Sequence, residues 1–166
     1  MLRTVAYCKQ LAVSSVMNEV LQQCNQLIAS DHGAHTRLTY LPDLLVVVKN
    51  SENGVVGLLI LHYTEGTLAW EIGTMASAKK YCRDEMLKLL IKGATDAIHT
   101  LQGRDAMEKK VWLVKRVRHS DTRRKAVFSA LGFECPESWV DNVLSDTGYI
   151  PFDPFDAALM KRVVQA

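Results

Sequence analysis

Three cations stand close together in Lys79-Lys80-Tyr81-Cys82-Arg83, just ahead of a segment with helical spacing. A cation at a helix start faces the positive end of the macrodipole. These side chains are therefore placed to hold an anion, although a solvated basic turn is the simpler account. A longer basic run follows, with Lys109, Lys110, Lys115, Arg116, Arg118, Arg123, Arg124 and Lys125 set against Asp121 alone. Such a run suits nucleic acid, a nucleotide phosphate or an acidic protein. Trp112 is the one aromatic within the run, too few to give the interleaved rings that stack on single-stranded bases, so nucleic acid is the lesser expectation and a protein partner the greater. His119-Ser120-Asp121 has the residue types of a hydrolytic triad, but no nucleophile elbow accompanies it. Ser120 or Asp121 as a helix N-cap explains that cluster better. Asp31-His32-Gly33-Ala34-His35 carries metal-ligand types, but it reads as a polar loop and no metal site is expected. Cys8, Cys24, Cys82 and Cys135 form no CxxC pair and are expected to be free thiols.

The chain of 166 residues, with 48% hydrophobic and 23% charged residues, is expected to form one globular domain over 1–166. A net charge of +2 does not by itself call for nucleic acid. No apolar run approaches the ~20 residues that cross a bilayer. No signal-peptide core follows the N-terminus, so a cytoplasmic protein is expected.

Hydrophobic spacing defines the elements that must position these groups. From about Ala12 to Ala29, apolar residues recur at three and four, which predicts a helix broken at Ser30-Asp31-His32-Gly33. Leu44–Val48 and Val55–Leu61 flank Asn53-Gly54 and read as a β-hairpin. A turn at Glu65-Gly66 leads to a third strand over 67–73. Asp84 to Leu101 returns to helical spacing, with Leu87, Leu90, Ile91, Ala94, Ile98 and Leu101 on one stripe and Gly103 as its stop. Residues 111–116 read as a strand, and about Thr122 to Leu131 as a short helix ending at Gly132. Between Asn142 and Val164, Pro151 and Pro154 allow loops and edge strands, and 156–163 reads equally as helix or strand. A strand–helix–strand unit after an antiparallel meander implies a mixed, mostly antiparallel α/β (α+β) sheet with helices on both faces.

Ala126-Val127-Phe128-Ser129-Ala130-Leu131-Gly132-Phe133 behind a strand, and the tail Ala157-Ala158-Leu159-Met160-Lys161-Arg162-Val163, give the chain from Asp43 to Val163 its family character. It resembles the GNAT superfamily of acyl-CoA N-acyltransferases. The resemblance implies that the terminal segment is a strand. It also implies acetyl-CoA as the cofactor to consider, with Lys79, Lys80, Arg83 and Asp121 as candidate contacts and Glu71 as candidate general base.

Two departures bear on that activity. The family's glycine-rich loop lets backbone N–H groups approach the coenzyme A pyrophosphate at a helix N-terminus. The matching slots here are Tyr81 and Arg83, or Arg83 and Glu85, and neither register has a glycine. Where many members place a tyrosine to protonate the departing thiolate, this chain has Phe128. Loss of a general acid costs about 10²–10⁴-fold. The favoured expectation is a GNAT-fold protein with a degenerate acyl-CoA site and no cofactor, acting as a binding or assembly module. Degenerate GNAT-like phage proteins, of the virion or accessory to it, are similar in layout. The alternative is a divergent acetyl-CoA-dependent N-acetyltransferase.

Overall fold

The apolar run Leu44–Val48 becomes strand β2 (Leu44–Lys49), all six residues of which are buried. A strand sends alternate side chains to opposite faces, so burial of every residue requires cover on both. In the computed structural model, which describes residues 1–9, 14–33, 37–63, 68–103, 111–135 and 157–164, helices supply that cover. Leu45 and Val47 pack in one cluster with Met17, Val20, Cys24 and Ile28 of helix α1 (Ser14–His32). On the opposite face, Val46 lies against Gly93 of helix α2 (Arg83–Gln102). Full burial of a side chain such as Leu45 stabilises by about 1.5–3 kcal/mol.

The sheet has six strands in the order β1-β2-β3-β4-β5-β6, the others being β1 (Arg3–Cys8), β3 (Val55–Tyr63), β4 (Ala69–Ser77), β5 (Trp112–Arg118) and β6 (Ala157–Val163). β1 and β3 pair antiparallel to β2, β5 is parallel to β4, and β6 is antiparallel to β5. The mixed, mostly antiparallel sheet is as expected, and so is the crossover through α2. The terminal segment, ambiguous from its residues, is the strand that the resemblance implied.

The β2–β3 hairpin is as expected; in its turn Asn53 takes the positive φ and the Asn50 side chain accepts N–H bonds from Glu52 and Gly54. Three local readings are corrected. β1 was not foreseen, because an edge strand with alternating exposure carries too short an apolar pattern to announce itself. α1 runs on through Asp31 and His32 to a left-handed Gly33, so that pair closes a helix instead of forming a loop. Leu101 is exposed and leaves the α2 stripe, while Leu87, Leu90, Ile91, Ala94 and Ile98 are buried. The turn at Glu65-Gly66, the whole of the 142–156 segment, His35, Lys109 and Lys110 lie outside the described residues.

Backbone contacts group the chain into two compact units, Met1–His62 with Gly73–Ala97, and Tyr63–Ile72 with Ile98–Ala166. The first holds the α1 cluster. In the second, Ala69, Trp112, Val114 and Leu159 form a small core. There helix α3 (Thr122–Ala130) ends in a Schellman motif, with Phe133 N–H donating to Phe128 O and Gly132 N–H to Ser129 O, both at 3.0 Å. Gly132 takes φ +87°, as that motif requires.

Two predictions follow from this packing. Replacing a mid-helix glycine with alanine ordinarily stabilises by about 1 kcal/mol. A Cβ at Gly93, however, would stand 2.9 Å from Val46 Cγ1 and closer still to Thr4. Gly93→Ala is therefore expected to destabilise, by about 1–3 kcal/mol in a denaturant melt. Thiol labelling of the folded protein should modify the exposed Cys82 and Cys135 quickly and spare Cys8 and Cys24. Burial pushes the Cys24 thiol up to about 12, against a smaller lowering by Lys49, which leaves no reactive thiolate.

Candidate functional site

The turn between β4 and α2 belongs to the first unit. Tyr81 N–H donates to Ala78 O at 3.1 Å, closing the turn, and Met86 N–H donates to Cys82 O at 3.0 Å, opening the helix. Lys79 and Lys80 are exposed, with Lys80 Nζ 5.2 Å from the Tyr81 ring centre. Arg83 is not offered outward in the same way. Its guanidinium donates to Asp31 Oδ2 at 2.8 Å, and the same oxygen accepts the Ser77 N–H at 3.0 Å. His32 Nε2 lies 2.6 Å from Met75 O. The last turn of α1 is thus clipped to the end of β4 and the first residue of α2.

The Asp31 side chain is 13% exposed. Burial pushes its carboxyl up. The Arg83 and Ser77 hydrogen bonds, with the charges of Arg83 and His32, outweigh that and hold it below its ordinary value. The first turn of α2 also carries Asp84 and Glu85. Carboxylates there complement the macrodipole themselves and repel a phosphate group at that place. The local signal for them was present, since acidic residues in a first turn mark helix starts. Asp31 had no local signal, being 52 residues from Arg83.

The other candidates fall in the second unit. Glu71 of β4 pairs in register with Val114 of β5, which puts Arg116 diagonally across on the same face. Arg116 Nε lies 3.2 Å from Glu71 Oε1. Lys115 Nζ donates to Ile72 O at 3.4 Å; burial, then repulsion from Arg124, lowers its ammonium, against an opposing pull from Glu71. Asp121 is the N-cap of α3, accepting the Arg124 N–H at 3.0 Å. Lys125 Nζ reaches His119 O at 2.9 Å. The basic run therefore divides among local partners, and Arg118 and Arg123 are its exposed remainder, their side chains without a hydrogen bond or ion pair among the described residues.

Phe128 is 4% exposed and meets Phe133 edge-on, ring centres 5.1 Å apart. These two rings are the hydrophobic contact of the Schellman motif. No group of three His, Cys, Asp or Glu is placed to hold a metal among the described residues, and no helix there is long and apolar enough to cross a membrane.

The clip yields a measurable expectation. Asp31→Ala should cost about 1–2 kcal/mol, the lower end reflecting the exposure of Arg83. With its folded-state pKa depressed, Asp31 contributes fully above its unfolded value of about 3.9, and that contribution is lost as pH falls through the folded value. Asp31→Asn should remove this part of the acid sensitivity; an unchanged acid profile would refute the assignment.

No protein-family model matches the sequence, and no curated protein does. Solved structures match over nearly the whole chain. A probable acetyltransferase from Staphylococcus epidermidis aligns with a TM-score of 0.64 at 12% identity, covering 99% of this chain and 100% of that one. A GNAT-family N-acetyltransferase from Escherichia coli, in complex with CoA, gives 0.61 at 12% identity, covering 99% and 83%. The ribosomal-protein-S18-alanine N-acetyltransferase of Escherichia coli gives 0.59 at 13%, covering 100% and 96%. The two departures from the family pattern thus sit within a chain that has the fold of the GNAT acetyltransferases.

Proposed function

We propose that this GNAT-fold chain acts as a protein-binding or assembly module with little or no acetyl transfer. The observation that carries the reading is the first turn of α2. There Arg83 is bound to Asp31, and Asp84 and Glu85 supply negative charge where the family receives a pyrophosphate. These residues do not fit coenzyme A held in the family manner. Phe128 supports the same reading, because its ring is a packing element with no proton to give. Glu71, the candidate base, is tied to Arg116. A virion or phage accessory role, as the resemblance implies, would be an assembly role of this kind. The competing reading, a divergent acetyl-CoA-dependent N-acetyltransferase, draws on the CoA-bound neighbour and on the exposed Lys79 and Lys80.

Calorimetric titration with coenzyme A separates the two. The expected result is no saturable heat, and no acetyl transfer to a mixed panel of amine and peptide acceptors. Phe128→Tyr should not create activity. It should slightly lower stability, since it brings a hydroxyl to a buried ring edge that lacks a designed partner. Micromolar binding, about 8 kcal/mol, that disappears in a Lys79→Ala/Lys80→Ala variant would overturn the proposal in favour of the competing reading, which acetyl transfer to the panel would then establish.

A further inference from the structure

Helix α1 has two unlike faces. Its core face carries Met17, Val20, Cys24 and Ile28. Next to it, Asn18, Gln22, Asn25 and Gln26 recur at helical spacing, with the exposed Glu19 at their edge. Carboxamides outnumber charges on this face. It forms one wall of a groove of about 680 Å³, whose other wall is the segment Arg37-Leu38-Thr39. Among the described residues, Arg37 is the one charged residue lining the groove.

One of the carboxamides already shows what the stripe can recognise. Asn25 Oδ1 accepts the Leu38 N–H at 2.6 Å, and Asn25 Nδ2 donates to Leu38 O at 2.9 Å. A side-chain amide thus pairs with both main-chain groups of one residue, as a neighbouring strand would. Asn18, Gln22 and Gln26 are exposed and offer the same donor–acceptor pair. The main-chain groups of Arg37 and Thr39 make no hydrogen bond among the described residues. Together these give a groove with several paired donors and acceptors, one cation, and apolar contact from Leu21 and Leu38.

We propose that this groove binds an extended peptide segment bearing an acidic group. The carboxamides of Asn18, Gln22 and Gln26 pair with its main chain, and Arg37 holds the acidic group. Extended peptides present N–H and C=O groups in the alternation that carboxamides match, and main-chain pairing is the usual source of affinity in such complexes. The preference for an acidic peptide follows from a guanidinium with no competing carboxylate in the lining. The inference rests on the reading of this chain as a binding module and names the site and partner class.

The test is a ¹⁵N-amide NMR titration of the full chain at about 0.15 M salt. The probe is a pool of end-capped random hexapeptides with a central glutamate. Control pools replace that glutamate with glutamine, or carry N-methylated main chains; a further arm uses oligo(dT). The glutamate pool should shift the amides of 18–29 and 37–39 saturably. The glutamine pool should act about tenfold more weakly, the worth of one charge-assisted hydrogen bond, and the N-methylated pool, which loses several main-chain bonds, at least as weakly. Gln22→Leu/Gln26→Leu, at exposed positions, should abolish the response, and Arg37→Gln should make the glutamate and glutamine pools equal. No shift, shifts mapping elsewhere, or equal action of the N-methylated pool would overturn the proposal. Oligo(dT) shifting the groove amides more strongly than the glutamate pool would overturn it in favour of a phosphate site. Coenzyme A added to the same samples keeps the two ideas distinct. Coenzyme A binding beside intact groove shifts would overturn the function proposed above and leave the groove, whereas absence of both would overturn the groove alone.

Discussion

The carboxylate of Asp31 is the interaction on which the candidate site depends. One oxygen receives the Ser77 N–H, at the end of β4, and the Arg83 guanidinium, at the start of α2. Three elements separated in sequence thereby share one half-buried acceptor. Removing it would strand a backbone N–H and an arginine together, which is costlier than losing an exposed ion pair. With Arg83 held by Asp31 and Asp84 and Glu85 at the helix start, much of the charge of the turn is balanced from within. Lys79 and Lys80 are exposed beside them.

Phe128 packs edge-on against Phe133 and closes the hydrophobic contact of a Schellman motif. Phe133 then leads to Glu134, whose N–H and C=O pair with Lys161 of β6 at 2.7 and 2.9 Å. The residue helps to turn the chain from α3 toward the last strand. Its identity therefore has a packing explanation independent of catalysis.

The basic run from Lys109 to Lys125 shows why charge counted along a sequence overstates charge available at a surface. Alternation along β5 and the turn into α3 send neighbouring cations in different directions. Arg116 meets Glu71, Lys115 reaches Ile72 O, Arg124 approaches Asp121, and Lys125 caps His119 O. Each partner lies nearby in the fold, and among the described residues four of the six cations are taken up in this way.

Apolar pattern was enough for α1 and α2, which repeat their apolar residues at helical spacing, and for β2, β3 and β5, which are short unbroken β-rich runs. The end of α3 was equally legible, since Leu131-Gly132-Phe133 places a glycine where only φ > 0 serves. The absence of glycine around Tyr81–Glu85 and the phenylalanine at 128 were also visible as residue identities. Tertiary structure decided the rest. It alone showed β1 as an edge strand, Asp31 as the partner of Arg83, and Phe128 as a packing element. It also brought the α1 carboxamides up against residues 37–39. Each of these is a contact between residues far apart in the chain or on different elements, and such contacts leave no local pattern from which to read them.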